Sequence, residues 1–157
     1  MCRVAVERGG YAAAFVCYPR NDEAKGIDVV AQQGAGEGFL SAVPLTWADT
    51  ELGQTSIARC MRSGERVVLH SITAAPDLAP WHAAARASGF KSVMSLPLRV
   101  QATLIGTFTL YAREEGAFDD AEVLVLDRGI VELEVDAALH RNRAVRIQVR
   151  QRDRAHR

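Results

Sequence analysis

The sequence contains no apolar run approaching the roughly 20 residues that span a bilayer. Its opening residues meet charge at Arg3 and again at Glu7, too early for the apolar centre of a secretory signal. The expected location is therefore the cytoplasm. Cysteine is scarce and oddly placed: Cys2, Cys17 and Cys60 show none of the short paired spacings used for zinc or redox chemistry, so buried, reduced thiols are expected. The histidines His70, His82, His140 and His156 are scattered, with no pair spaced as ligands on one helix face, and no metal is expected. Net charge is also lacking. Of 19 basic and 19 acidic residues, seven arginines and one aspartate fall within residues 141–157, leaving twelve and eighteen before them. An acidic body thus carries a basic tail.

At 157 residues the chain is long enough to close one core without disulfide or metal staples. Residues 1–140 read as one domain, and residues 141–157 as a basic helical tail or linker. Cys2, Val4 and Val6 alternate, a turn follows at Gly9 and Gly10, and residues 11–18 return as an apolar strand, so residues 2–18 read as a hairpin. A third strand covers residues 27–31, and residues 34–52 form a long irregular connection containing Gly34, Gly36, Gly38 and Pro44. Residues 55–62 have helical spacing, with Thr55 or Gln54 as cap and Gly64 as stop. Residues 66–69 make a fourth strand. The alanine-rich helix of residues 80–89 opens on Pro80 and ends at Gly89. Alternation at residues 90–99 and again at 104–111 predicts the strongest hairpin. A closing helix starts behind an aspartate cap at Asp119 or Asp120 and carries Val123, Leu126, Ile130, Leu133 and Ala137 on one seam. These elements describe an α+β domain around one antiparallel sheet.

The order of several short motifs adds a resemblance. Gly64-Glu65-Arg66-Val67-Val68, Asp77, Pro80-Trp81, Ala84-Ala85, Gly89-Phe90-Lys91-Ser92, Ser95-Leu96-Pro97-Leu98, Leu104-Ile105-Gly106, Leu110-Tyr111 and Phe118-Asp119 run collinearly over residues 2–140. In that order the chain resembles GAF domains, regulatory modules of bacterial signalling proteins. The resemblance implies a central antiparallel sheet of about six strands flanked by helices, with a long C-terminal helix. It also implies a ligand pocket between one sheet face and the segments 34–62 and 70–89. The helix that precedes the first strand in that family is missing from the sequence pattern, which predicts an undercovered sheet face, from a fragmentary chain or one completed by a partner's helix.

Individual ligand signatures of the family do not carry over. The spacing after Phe118 gives Glu122 and Val123 in place of the Asp-Glu pair of cyclic-nucleotide binders, and neither Lys25 nor Lys91 follows an Asn. Cys60 lies in the helix where bilin-binding relatives hold a nucleophile, but the expected reading is a buried thiol. Relatives that reduce free methionine sulfoxide use cysteines where this chain has Ala83-Ala84-Ala85, which argues against an enzyme. The cofactor is left unassigned.

The candidate ligand residues are Phe39, Trp47, Thr55, Ile57, Asp77, Trp81, His82, Ser92 and Ser95, combining aromatic walls with a few polar groups. Burial of both tryptophans against the sheet, a loop cap at Asp77, exposure of His82 and strand hydrogen bonding by the serines are the competing expectations. The expected function is a sensor that binds a small molecule and forms a homodimer through Leu126, Ile130, Leu133 and Ala137. By the same resemblance, a kinase, cyclase or phosphodiesterase output domain is the expected neighbour on a longer chain. The rivals are a ligand-free dimerisation module whose pocket is filled by its own side chains, and a free methionine sulfoxide reductase. The arginine-rich tail lacks the interleaved aromatics of a nucleic-acid strap, and no membrane contact is expected of it.

Overall fold

Five strands build one antiparallel sheet in the computed structural model, which describes residues 2–36 and 38–129. The strands are β1 (Ala13–Pro19), β2 (Ile27–Gly34), β3 (Val67–Leu69), β4 (Ser92–Val100) and β5 (Thr103–Ala112), in the spatial order β2-β1-β5-β4-β3. The longest ladder is the β4–β5 hairpin, running from Ser92↔Ala112 to Val100↔Thr103. Pro97, which has no amide hydrogen to give a neighbour, sits beyond the last β3 pair at Val67↔Ser95, where β4 is itself an edge.

Two expectations need correction. The described sheet has five strands and not six, because residues 2–7 form a helix, α1 (Cys2–Glu7). Cys2, Val4 and Val6 alternate, but Cys2, Ala5 and Val6 equally satisfy the i, i+3, i+4 spacing of a helix face, and it is this set that packs on the sheet. Val4 is exposed. A helix therefore does precede the first strand, on the face expected to lack one. Strand β2 also runs three residues past the predicted end, through Gln32, Gln33 and Gly34, pairing with β1 from Ala13↔Gly34 to Pro19↔Ile27. As an edge strand with only Ile27 buried, it leaves no hydrophobic period to read.

The register divides the sheet's side chains into two layers. Ala14, Val16, Met94, Leu96, Leu98, Phe108, Leu110 and Ala112 face one side and pack with Cys2 of α1 and with Phe118 and Val123 at the closing helix α4 (Asp120–Gly129). The Glu122 amide donates to Asp119 Oδ1 over 2.8 Å, the helix-start cap read from sequence. Tyr11 stacks on Phe118 at 5.7 Å and its hydroxyl bonds Glu122, tying the entry to β1 onto α4. Leu126 packs partly buried against this same layer, while Ile130, Leu133, Ala137 and the tail of residues 141–157 lie outside the described residues.

Ala13, Phe15, Cys17, Val93, Ser95, Thr107, Thr109 and Tyr111 face the other side. That side is roofed by the connection after β2, by α2 (Ser56–Ser63), by a 3-10 turn (Pro76–Trp81) and by α3 (His82–Ser88). Thr55 caps α2 by accepting the Ala58 amide on its hydroxyl at 3.2 Å, and Gly64 ends it with a left-handed φ of 70°. Pro80 lies inside the 3-10 turn, so the alanine helix proper begins two residues after it, at His82. Among the described residues no helix is long and apolar enough to cross a membrane.

Candidate functional site

Between the sheet and its roof lies a small cavity lined by Phe39, Leu40, Thr55, Ser56, Ile72, Leu78, Trp81, Val93 and Tyr111. Val93 and Tyr111 form its floor, opposite one another on β4 and β5. Thr55 and Ser56 come from the start of α2, Leu78 and Trp81 from the 3-10 turn, and Phe39 and Leu40 from the connection after β2. The free volume is about 20 Å³, room for about one water molecule. None of the nine lining residues carries a formal charge. A wider depression of about 210 Å³ beside Phe15, Gln32, Gln33, Gly34 and Ala35 opens along the edge strand and collects no group suited to chemistry.

Phe39 explains why so little space is left. Its ring meets Phe90 at 5.0 Å and Tyr111 at 5.1 Å, both edge to face, and Trp81 at 5.8 Å, while Phe90 stacks on Tyr111 at 4.6 Å. All four rings are at most 5% exposed.

The polar side of the cavity is a relay of hydroxyls. Ser95 Oγ donates to Ser56 Oγ at 3.0 Å and lies 2.7 Å from Thr109 Oγ1, with all three residues buried. Because Ser95 has one proton and gives it to Ser56, Thr109 must donate to Ser95. The relay therefore runs from the sheet to α2 and ends at Ser56, on the cavity wall. On the roof, Arg59 and Asp77 form an ion pair at 2.9 Å that joins α2 to the 3-10 turn.

Of the residues proposed from sequence, Phe39, Thr55 and Trp81 line the cavity. Ser95 stands behind it in the relay, and Ile57 is wholly buried in the surrounding core. Trp47 lies apart from the lining, with its indole donating to the Arg20 carbonyl at 2.9 Å and Lys25 Nζ over its ring at 4.8 Å. Asp77 is held by Arg59. His82 Nε2 donates to the Ala75 carbonyl at 2.8 Å, and Ser92 Oγ donates to the Glu114 carbonyl at 2.6 Å. Sequence reasoning missed Leu40, Ser56, Ile72, Leu78, Val93 and Tyr111. Alternation about Met94 and within β5 carried a signal for Val93 and Tyr111, whereas the loop residues offered none.

All three cysteines are free and buried. Burial pushes the Cys17 and Cys60 thiols up to about 12, and in Cys60 this outweighs the opposing pull of Arg99. Burial also raises the Tyr111 phenol above its ordinary range. Among the described residues no group of His, Cys, Asp or Glu could hold a metal ion.

The comparisons with known proteins agree with this architecture. The structure is similar to the GAF domain region of a membrane protein from Geobacter sulfurreducens PCA, at a TM-score of 0.61 and 15% identity, over 81% of each chain. It is similar to a domain of a two-component sensor histidine kinase from Sinorhizobium meliloti 1021, at a TM-score of 0.54 and 20% identity, over 77% of this chain and 73% of that one. A type II free methionine-R-sulfoxide reductase from Thermoplasma acidophilum also matches, at a TM-score of 0.59 and 17% identity, over 81% and 79%. No curated protein matches the chain by sequence. The GAF domain family profile matches residues 1–128, and with that match over most of its length the chain belongs to the GAF domain family.

Proposed function

We propose that this GAF domain is a sensory module that binds a small molecule between its sheet and roof and reports it by a change in the packing of its helices. The observation that carries the reading is the cavity itself: a small aromatic-lined recess with one hydrogen-bonding wall, set where α2 and the 3-10 turn meet the sheet. A ligand that favours one arrangement of that roof shifts the equilibrium between arrangements by its differential affinity. The sensor kinase among the structural neighbours is compatible with this reading, and a kinase, cyclase or phosphodiesterase partner domain is part of the proposal. So is a homodimer through Leu126, Ile130, Leu133 and Ala137. Native mass spectrometry of freshly purified protein tests both points, since a retained small-molecule mass and a two-subunit species are expected together. A bare monomer at micromolar concentration would overturn the reading.

The sulfoxide-reductase neighbour raises the alternative of an enzyme. The thiol chemistry argues against it here: a protonated, fully buried Cys17 or Cys60 is a poor nucleophile, and α3 carries alanines. Loss of thiol-dependent turnover in Cys60→Ser would reverse this judgement. A third reading, a dimerisation module that binds nothing, is favoured by one observation: Phe39 and Trp81 already fill the recess.

A further inference from the structure

Resting on the reading of this cavity as a ligand site, we propose that it takes a flat, uncharged aromatic compound bearing a hydrogen-bond acceptor, seated where the Phe39 ring now lies and read by the Ser56 hydroxyl. Phe39 is then a resident stand-in for the ligand.

The shape argument comes from the rings. Phe39 touches Trp81, Phe90 and Tyr111 at centroid distances of 5.0–5.8 Å, so its place is already an aromatic slot with three walls. The existing 20 Å³ is far below the roughly 150 Å³ that holds a benzene molecule, so a ring-sized ligand enters only when Phe39 leaves. Phe39 is carried on an irregular connection, in a turn closed by its own amide to the Gly36 carbonyl at 2.7 Å. Gly36 and Gly38 lie in this turn, both before Phe39, at φ of 78° and 85°, a region open to glycine, so the backbone leading to the ring has conformations to move into.

The charge argument comes from the lining. None of its nine residues is ionisable except Tyr111, whose phenol burial holds neutral. The roof's Arg59 and Asp77 are paired with each other. A charged ligand would be desolvated there without a counter-charge.

The acceptor argument is proton accounting. Each hydroxyl has one proton; Thr109 gives its own to Ser95, and Ser95 gives its own to Ser56. Ser56 is 2% exposed, lines the cavity, and has no acceptor for its own proton among the described residues. An acceptor on the ligand completes the relay.

The test uses the full chain carrying Trp47→Phe, so that the fluorescence of Trp81 alone reports the slot, with benzamide, benzoate and benzene as probes. Removing the plug with Phe39→Ala is expected to tighten benzamide by about tenfold, because the competent state no longer competes with the resident ring. In that variant benzoate should bind about tenfold more weakly than benzamide, for want of a counter-charge. Adding Ser56→Ala should weaken benzamide by about fivefold and leave benzene unchanged. Phe39→Leu keeps the apolar contact without the ring and repeats the comparison if the alanine variant fails to fold. Benzoate binding as tightly as benzamide, or benzamide binding indifferent to Ser56, overturns the ligand class while leaving the site. Folded variants that bind none of the three probes overturn the site and this inference together.

Discussion

Ser95 Oγ on β4 donates to Ser56 Oγ on α2 across 3.0 Å, joining residues 39 positions apart in the chain through a buried side-chain bond between sheet and roof. Ser95 is the middle of a three-hydroxyl relay, so Ser95→Ala strands the Thr109 donor and the Ser56 acceptor together. We expect a loss of about 1–3 kcal/mol, the usual cost of leaving buried polar groups unpaired. A triple variant, Ser56→Ala with Ser95→Ala and Thr109→Val, removes every partner at once and should be destabilised less than the single change. Urea unfolding of the two proteins decides it. Equal midpoints for wild type and Ser95→Ala would mean that the relay contributes nothing.

The Thr107 hydroxyl lies on the same sheet face, beside Cys17 on the neighbouring strand, buried and without a hydrogen-bond partner. Valine keeps the branched shape and β propensity while removing the desolvated hydroxyl. Thr107→Val is expected to stabilise the domain by about 1 kcal/mol. A thermal scan showing a lower Tm for the variant would show that the hydroxyl has a partner, a bound water or a ligand atom.

Burial of Cys17 and Cys60 makes alkaline stability a readable quantity. Both thiols rise from an ordinary 9.0 to about 12 in the folded protein, so between those values the unfolded chain releases protons that the folded one keeps. The unfolded state therefore binds fewer protons in that window, and stability falls as pH rises, with a slope approaching about 1.4 kcal/mol per pH unit for each thiol. Below pH 9 both states hold the protons and the contribution to the slope vanishes. Chemical denaturation at pH 7, 9 and 10.5 should show a flat response and then a decline. In Cys17→Ala with Cys60→Ala the decline should shrink, and an unchanged decline would assign it to other groups such as the tyrosines.

Much of this architecture was legible in the chain, for reasons that differ by element. The β4–β5 hairpin and α2 were readable because Met94, Leu96 and Leu98, and then Thr55 with Gly64, state their period and their ends locally. Helix α1 was misread because six residues are too few to separate a period of two from one of 3.6. Strand β2 was clipped because Gln32 and Gln33 are held by backbone pairing to β1 and bury nothing. At the site, aromatic residues flagged as walls fared unevenly. Trp81 is carried into the cavity lining by the 3-10 turn it ends, whereas Trp47 finds a backbone acceptor and a cation elsewhere. The importance of Ser56 was invisible, since it depends on two hydroxyls contributed by strands about 40 and 50 residues away.

Gly106 marks the tightest point of the central strands. It sits in β5 beside β1, and a Cβ built on it would meet the Cys17 carbonyl oxygen at 2.3 Å and the Tyr18 ring at 2.5 Å. The ring can turn aside, but the carbonyl belongs to a strand held on both sides by β2 and β5, so the sheet itself has to give. Gly106→Ala should therefore cost about 1–3 kcal/mol by overpacking, even though alanine is no worse than glycine for strand propensity. Because the displaced strand carries Phe15 and Cys17 on the cavity side, the variant should also raise the rate at which Cys17 reacts with a thiol reagent under native conditions. Retained stability together with unchanged thiol reactivity would show that β1 and β5 can separate at this point without loss.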